Sequence, residues 1–220
     1  VCELTELFVV PGEQSAGIGR ELLARAFPAR SAPADGVRHR SVISSTDLPA
    51  MVRYLKAGVY PRFPIYYFGR KPGTVTVATD LTIEPITASP QDLAVLAALD
   101  SALLGHRREV DHAWLLGDRQ GYFYFREDRP VGYGYVGVRS GPFALLEASD
   151  FPAVLAHAET EAAAQGRPEF GLEVPMVNHV AVDYLLARGY RLDSFMAILM
   201  NDGLFGSLEN YLLTSPPFFL

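Results

Sequence analysis

Apolar positions along the chain follow two periods, and each period predicts a different element. In 17–27 (GIGRELLARAF), Ile18, Leu22, Leu23 and Phe27 form one stripe of a 3.6-residue repeat, which predicts an amphipathic helix. A second helix is expected over about 48–57. Ser45, Thr46 and Asp47 offer N-cap oxygens ahead of it, and Gly58 offers a C-terminal stop. β-Branched and aromatic residues cluster instead in 3–10, which runs into the turn pair Pro11-Gly12, and in 37–44; both read as strands. The stretch 28–36 between the first helix and the second strand has loop composition. The aromatic stretch 59–69 (VYPRFPIYYFG) reads as two short strands, because Pro61 and Pro64 interrupt it.

The same reading carries through the rest of the chain. Strands are expected at 81–85, 121–126, 131–138, 142–148, 170–174 and 191–200. Helices are expected at about 90–105 after Ser89, at 150–165 up to Gly166, and at 177–188 up to Gly189, with a helical turn at 109–115. Residues 127–130 turn two of the strands into an antiparallel hairpin. Strands alternating with helices predict an α/β chain with mixed sheets and helices on both sides. Residues 71–80 read as a linker between a first domain, 1–70, and a second, 81–220. A helix, a glycine and a strand follow one another at Gly58 and again at Gly189, a weak internal repeat.

Composition narrows the function classes. The 220 residues are 49% apolar and 20% charged, which excludes a disordered chain. A net charge of −6 disfavours nucleic acid and anionic membrane as partners. The one cysteine, Cys2, excludes an internal disulfide framework and cysteine-based zinc sites. With no basic neighbour it reads as inert. The five histidines are scattered and none forms an HxxxH pair, so no metal is expected. No apolar run reaches about 18 residues, and no signal peptide is visible, so a cytoplasmic location is expected. The chain opens on Val1 directly into a strand-like stretch, and residues are expected upstream of it.

The strongest chemical signal is Gln14-Ser15-Ala16-Gly17-Ile18-Gly19, a Q-x-x-G-x-G stretch between a predicted strand and a predicted helix. Two glycines let backbone N–H groups approach a bulky anion, and a helix N-terminus adds unpaired donors and the positive end of its dipole. A pyrophosphate suits such a cradle. The stretch is not a Walker A loop, because no Gly-Lys-Ser/Thr follows, and it lacks the Rossmann G-x-G-x-x-G spacing. The plain alternative is a glycine turn that starts a helix.

Residues 3–23 resemble the acetyl-CoA-binding motif of the GNAT (GCN5-related) N-acetyltransferase superfamily: a strand ending L-x-V-x-P, then Q/R-x-x-G-x-G/A, then an amphipathic helix. Asp47 to Val59 resembles the same family's N-x-x-A-x-x-x-Y-x-x-x-G-F, with Asp47 where Asn is usual. Together the two motifs cover about residues 3–68. The resemblance implies acetyl-CoA as co-substrate, an amine acceptor and direct attack of the amine on the acetyl carbonyl. Backbone groups of Leu7, Phe8 and Val9 would pair with the pantetheine arm as an added strand. The loop and helix start, Gln14, Ser15, Ala16, Gly17, Ile18, Gly19 and Arg20, would hold the pyrophosphate, with Asp47 nearby. Tyr54 would protonate the leaving thiolate, and Glu3 or Glu6 would take the amine proton; with period 2 these two point to opposite faces. Tyr54 also reads as a core aromatic, Glu3 as a solvated edge residue and Arg20 as a surface charge. The family's further strands and helices before residue 3 are absent from the chain, so the first domain is expected to lack its N-terminal half.

The second half resembles a further GNAT-like unit through Asn178-His179-Val180-Ala181 and Gly189-Tyr190. Leu185 stands where Tyr is usual, and no Q/R-x-x-G-x-G follows the hairpin. A degenerate, non-catalytic second domain is therefore expected in a tandem arrangement, with a homodimer left open. The other functional class is a non-catalytic acyl-CoA-binding or dimerisation module on the same scaffold. Further acceptor-site candidates are Asp111 and His112 in the run 106–112, which also reads as a solvated helix end, and Glu173, which also reads as a structural carboxylate. Tyr122, Tyr124, Tyr133 and Tyr135 read as cross-strand packing or as an aromatic wall. The apolar tail 212–220 is expected to dock, with Phe218–Leu220 at the seam between units.

Overall fold

The computed structural model describes residues 1–14, 16–27, 39–203 and 205–214. Ser15, the loop 28–36 with the first two residues of the strand expected at 37–44, and the tail residues Phe218–Leu220 lie outside these. The chain divides into two compact units. Among the described residues, 1–64 and 196–203 form the first, and 65–195 and 205–214 form the second.

In the first unit, β1 (Cys2–Leu4) pairs in parallel with β2 (Arg40–Ser44), Glu3 opposite Ser41. The other edge of β2 pairs antiparallel with the end of β9 (Arg191–Asn201), Val42 opposite Met200. The strand expected over 3–10 thus stops at Leu4. Residues 5–10 have strand composition, but β propensity needs a partner to express it, and the β1–β2 register ends at Leu4 and Val42. Phe8 and Val10 are 81% and 71% exposed there.

Helix α1 (Ile18–Ala26) begins after Gly17, whose φ of +88° is left-handed and favours glycine. Helix α2 (Leu48–Lys56) begins at Asp47, whose carboxylate accepts the Ala50 N–H at 2.8 Å. Leu23 from α1 and Phe27 just after it pack with Val42, Tyr54, Val59 and Met200 to form this unit's core.

The 59–69 stretch is one strand, β3 (Tyr60–Arg70), rather than two. Its prolines precede Ile65, where antiparallel pairing with β8 (Phe170–Pro175) begins, so that ladder loses no N–H donor. The second unit carries a further antiparallel sheet. Its order is β10 (Tyr211–Leu212), β7 (Phe143–Leu145), β6 (Arg129–Val136), β5 (Gln120–Arg126) and β4 (Thr82–Pro85). The β5–β6 turn has a two-residue loop, Glu127 and Asp128, both with positive φ, as tight hairpins require. Helices α3 (Pro90–Leu103), α4 (Glu109–Leu115), α5 (Phe151–Ala164) and α6 (His179–Ala187) complete the unit. Its core gathers Tyr124, Phe143, Leu145, Phe151, Leu155, Phe170, Leu172 and Leu185. Residues 71–80 hold neither helix nor strand; the Gly73 and Val75 N–H groups donate to Glu159 and Thr160 of α5. No helix among the described residues is long and apolar enough to cross a membrane.

Candidate functional site

A face of α2 sets the first unit's site. Ala50, Arg53, Tyr54 and Ala57 fall at i, i+3, i+4 and i+7 and so share that face. A cavity of about 330 Å³ is lined by Leu7, Phe8 and Val9, by Gln14, Gly17 and Gly19, and by Asp47, Pro49, Ala50, Arg53 and Tyr54. The Gln14 side chain donates to the Val9 carbonyl at 3.3 Å and ties the two loop segments together. Tyr54 is 6% exposed overall but reaches the cavity wall. Burial raises the pKa of its phenol; the Arg53 charge opposes this, the Asp47 charge adds to it, and the net shift is upward. The phenol is therefore protonated at neutral pH.

A second cavity, of about 830 Å³, shares Gly17 and Arg53 with the first. Arg20, Arg40, Arg53 and Lys56 line it together with Leu23, Ala24 and Phe27, and no carboxylate does so among the described residues.

The structure sorts the residues singled out in the sequence. Leu7, Phe8, Val9, Gln14, Gly17, Gly19, Asp47 and Tyr54 meet around the smaller cavity; Ala16 and Arg20 line the larger one. Ile18, Glu3 and Glu6 line neither; Glu3 is half-buried on β1 and Glu6 is exposed. Ser15 lies outside the described residues. Asp47 has a structural task as well, the helix cap. Cys2 is a half-buried free thiol beside the Ala26 carbonyl. Sequence reasoning passed over Arg53, Lys56, Pro49 and Ala50. The helical period that places Tyr54 also places Arg53, so the signal for it was present.

In the second unit, the 106–112 run is not a solvated helix end. Arg108 and His112 are buried and converge on Asp100, which is fully buried in α3. Asp100 accepts from Arg108 Nε at 2.9 Å and Nη2 at 3.0 Å, and lies 2.8 Å from His112 Nε2. Tyr133 donates to Asp100 at 2.5 Å, the Tyr135 hydroxyl lies 2.8 Å from His112 Nδ1, and Arg108 donates to Tyr211 at 2.8 Å. Burial alone would raise the Asp100 pKa. Hydrogen bonding to His112 and the charge and hydrogen bonds of Arg108 outweigh it and hold the carboxyl well below the ordinary range. The other two tyrosines of the hairpin are also committed internally, Tyr122 to Glu161 and Tyr124 to His157. The aromatic wall is thus a set of hydroxyls with internal partners, and its packing role is joined to a buried polar cluster.

The tail docks as far as it is described. Leu212, Leu213 and Thr214 are buried. β10 pairs with β7, and Leu213 bridges Glu173 of β8, donating to its carbonyl at 3.2 Å. Glu173 also lines a cavity of about 360 Å³ with Tyr67, Ser140 and Thr214. The chain itself therefore fills the gap between β7 and β8. No group of His, Cys, Asp and Glu among the described residues is arranged to hold a metal ion.

No protein-family model matches the sequence, and no curated protein matches it significantly. Solved structures do match. A Pyrococcus horikoshii chain described as a provisional acetyltransferase superposes with a TM-score of 0.66 at 16% identity, over 92% of this chain and 66% of its own. A GCN5-related N-acetyltransferase from Sphaerobacter thermophilus gives a TM-score of 0.57 at 14% identity, over 88% and 70%. A tandem GNAT protein from the clavulanic acid biosynthesis pathway gives 0.56 at 14% identity, over 92% and 75%. The chain spans about two thirds to three quarters of the length of these proteins. Two sheets flanked by helices, superposing on these structures along most of the chain, show that the fold is the GNAT fold.

Proposed function

We propose that the chain is an acyltransferase that moves an acetyl group from acetyl-CoA to an amine, with the chemistry in the first unit. The observation that carries this reading is the meeting of Leu7–Val9, the Gly17–Gly19 turn and Tyr54 around one cavity, in a chain of GNAT fold. Residues 5–10 take no part in the β1–β2 ladder, which suits pairing with an extended, amide-bearing pantetheine arm. The turn at Gly17 and Gly19, at the start of α1, suits a pyrophosphate. In the second unit β7 already pairs with β10, so the comparable edge is occupied by the chain itself.

The amine attacks the thioester carbonyl, the C–S bond breaks, and the Tyr54 phenol gives its proton to the departing thiolate. A phenol kept protonated by burial suits that role. Glu3, half-buried on β1, is the carboxylate proposed to receive the amine proton, although it does not line the cavity around Tyr54. The test is calorimetric titration of the chain with acetyl-CoA and CoA, followed by turnover against a panel of amines. Saturable binding at one site per chain with amine-dependent CoA release supports the proposal. Binding without release moves the chain to the non-catalytic module class, and no binding refutes both.

A further inference from the structure

We infer that the cavity of about 360 Å³ in the second unit is a binding site for a small amino-acid zwitterion, with its ammonium group towards Glu173 and Tyr67 and its carboxylate towards Arg139. All of the lining residues belong to the second unit, and the binding is independent of the acyl transfer proposed for the first.

Three segments build the hollow and a fourth closes it. β3 supplies Tyr67, β8 supplies Gly171 and Glu173, and the turn between β6 and β7 supplies Val138, Arg139 and Ser140. Thr214 follows β10 and is buried; its hydroxyl accepts from Arg119 at 2.5 Å and donates to the Ser140 carbonyl at 3.4 Å. Tyr67 stands opposite Glu173 in the β3–β8 register, and Gly69 stands opposite Gly171, so these positions share one face of the sheet. A Cβ on Gly171 would lie 1.7 Å from the Tyr67 hydroxyl, so glycine there is what lets the phenol lie across β8. β10 therefore fills the gap between β7 and β8 and leaves a polar hollow where it ends.

The charges around this hollow are sorted by element. On the β3–β8 side, burial and the charges of Glu169, Glu173 and Asp193 push the Tyr67 phenol up to about 12, and its hydroxyl donates to Glu169 at 3.2 Å. That side is anionic and carries a protonated phenol. On the turn side, burial lowers the Arg119 pKa and the neighbouring Arg139 charge adds to the lowering, against Asp118 and Glu173. Arg139 makes no ion pair with the described residues. Glu173 and Arg139 thus line one hollow without pairing with each other. A plain amine would leave Arg139 unmatched, and a plain carboxylate would leave Glu173 unmatched; a molecule carrying both charges complements the two ends. The volume suits a small ligand, since such pockets start at about 300 Å³.

The experiment is calorimetry on the whole chain with each of the L-amino acids. The tightest binder is then compared with the amine that lacks its carboxylate and the acid that lacks its amine. Saturable binding at one site per chain is expected, with both part-molecules weaker by about tenfold, the worth of one hydrogen bond to a charged group. Glu173→Gln and Arg139→Gln should each weaken the amino acid by a similar factor. Arg139 is exposed, so its substitution leaves the fold intact and carries the test even if Glu173→Gln destabilises the chain. Absence of binding by every amino acid overturns the inference. So does equal binding of the amine alone, which would make the hollow a simple cation site. Binding that neither substitution alters places the amino acid elsewhere on the chain and overturns it too.

Discussion

Tyr54 and Tyr133 are both buried tyrosines with an arginine beside them, and they have opposite fates. The Tyr133 hydroxyl lies 2.5 Å from Asp100 and 2.7 Å from Arg108, inside a cluster whose polar groups satisfy one another. Tyr54 lines a cavity, and its neighbour Arg53 makes no ion pair with the described residues. The backbone repeats the contrast. The β7 edge in the second unit is paired with the chain's own β10, whereas residues 5–10 after β1 in the first unit join no ladder. Residue type does not separate a site from a scaffold. What separates them is whether polar valences are filled within the chain or point into a hollow.

The largest expected effect is on the closed cluster. Asp100→Ala leaves the buried Arg108 without its carboxylate and should lower unfolding stability by about 3–5 kcal/mol. Denaturant unfolding of the whole chain measures this, and a loss below about 1 kcal/mol would break the contrast. The same carboxylate sets a pH dependence. The folded Asp100 holds off protonation, while the unfolded chain takes up its proton near an ordinary value of about 3.9. Stability should therefore be full at neutral pH and fall as pH drops below about 4, with a shallower fall in Asp100→Asn.

The open site should respond in rate rather than stability. Tyr54→Phe is expected to slow turnover about 100-fold, or about 2.7 kcal/mol of barrier, with little change in melting. Equal loss of both would return Tyr54 to the core aromatics. Gly17→Ala forces a Cβ onto a φ of +88° and should cost about 1 kcal/mol of stability, together with weaker acetyl-CoA binding. The smallest effect belongs to the helix cap. Asp47→Ala should destabilise by about 1 kcal/mol, and Asp47→Asn should be nearly silent. If Asp47→Asn reduced turnover without changing melting, Asp47 would have a role beyond the cap.

Elements whose causes are local were legible in advance. The stripe of α1, the Asp47 and Ser89 caps and the positive-φ glycines that follow α2, α5 and α6 depend on neighbours within a few residues. The strand at 3–10 was legible only in part, because composition makes a segment extended but a partner makes it a strand. Pro61 and Pro64 misled because they precede the stretch from Ile65 onward that pairs with β8, so that pairing loses no N–H donor to them. The glycine turn and Tyr54 were visible as a motif, and Arg53 was recoverable from the helical period. The 106–112 run was not legible, because Asp100 sits on a separate helix, and Tyr133 and Tyr211 lie far from it in sequence and close to it in space.

The chain's order of residues by itself determined the helices, their ends, the hairpin and the anion-friendly turn, since each is decided by short-range sterics and hydrogen bonds. Only the tertiary structure decided which tyrosines close on internal partners and which face a cavity, where the spare cations gather, and that the tail fills the gap between β7 and β8. Those outcomes depend on long-range packing, which sets the desolvation and pairing of each polar group, and no local pattern encodes them.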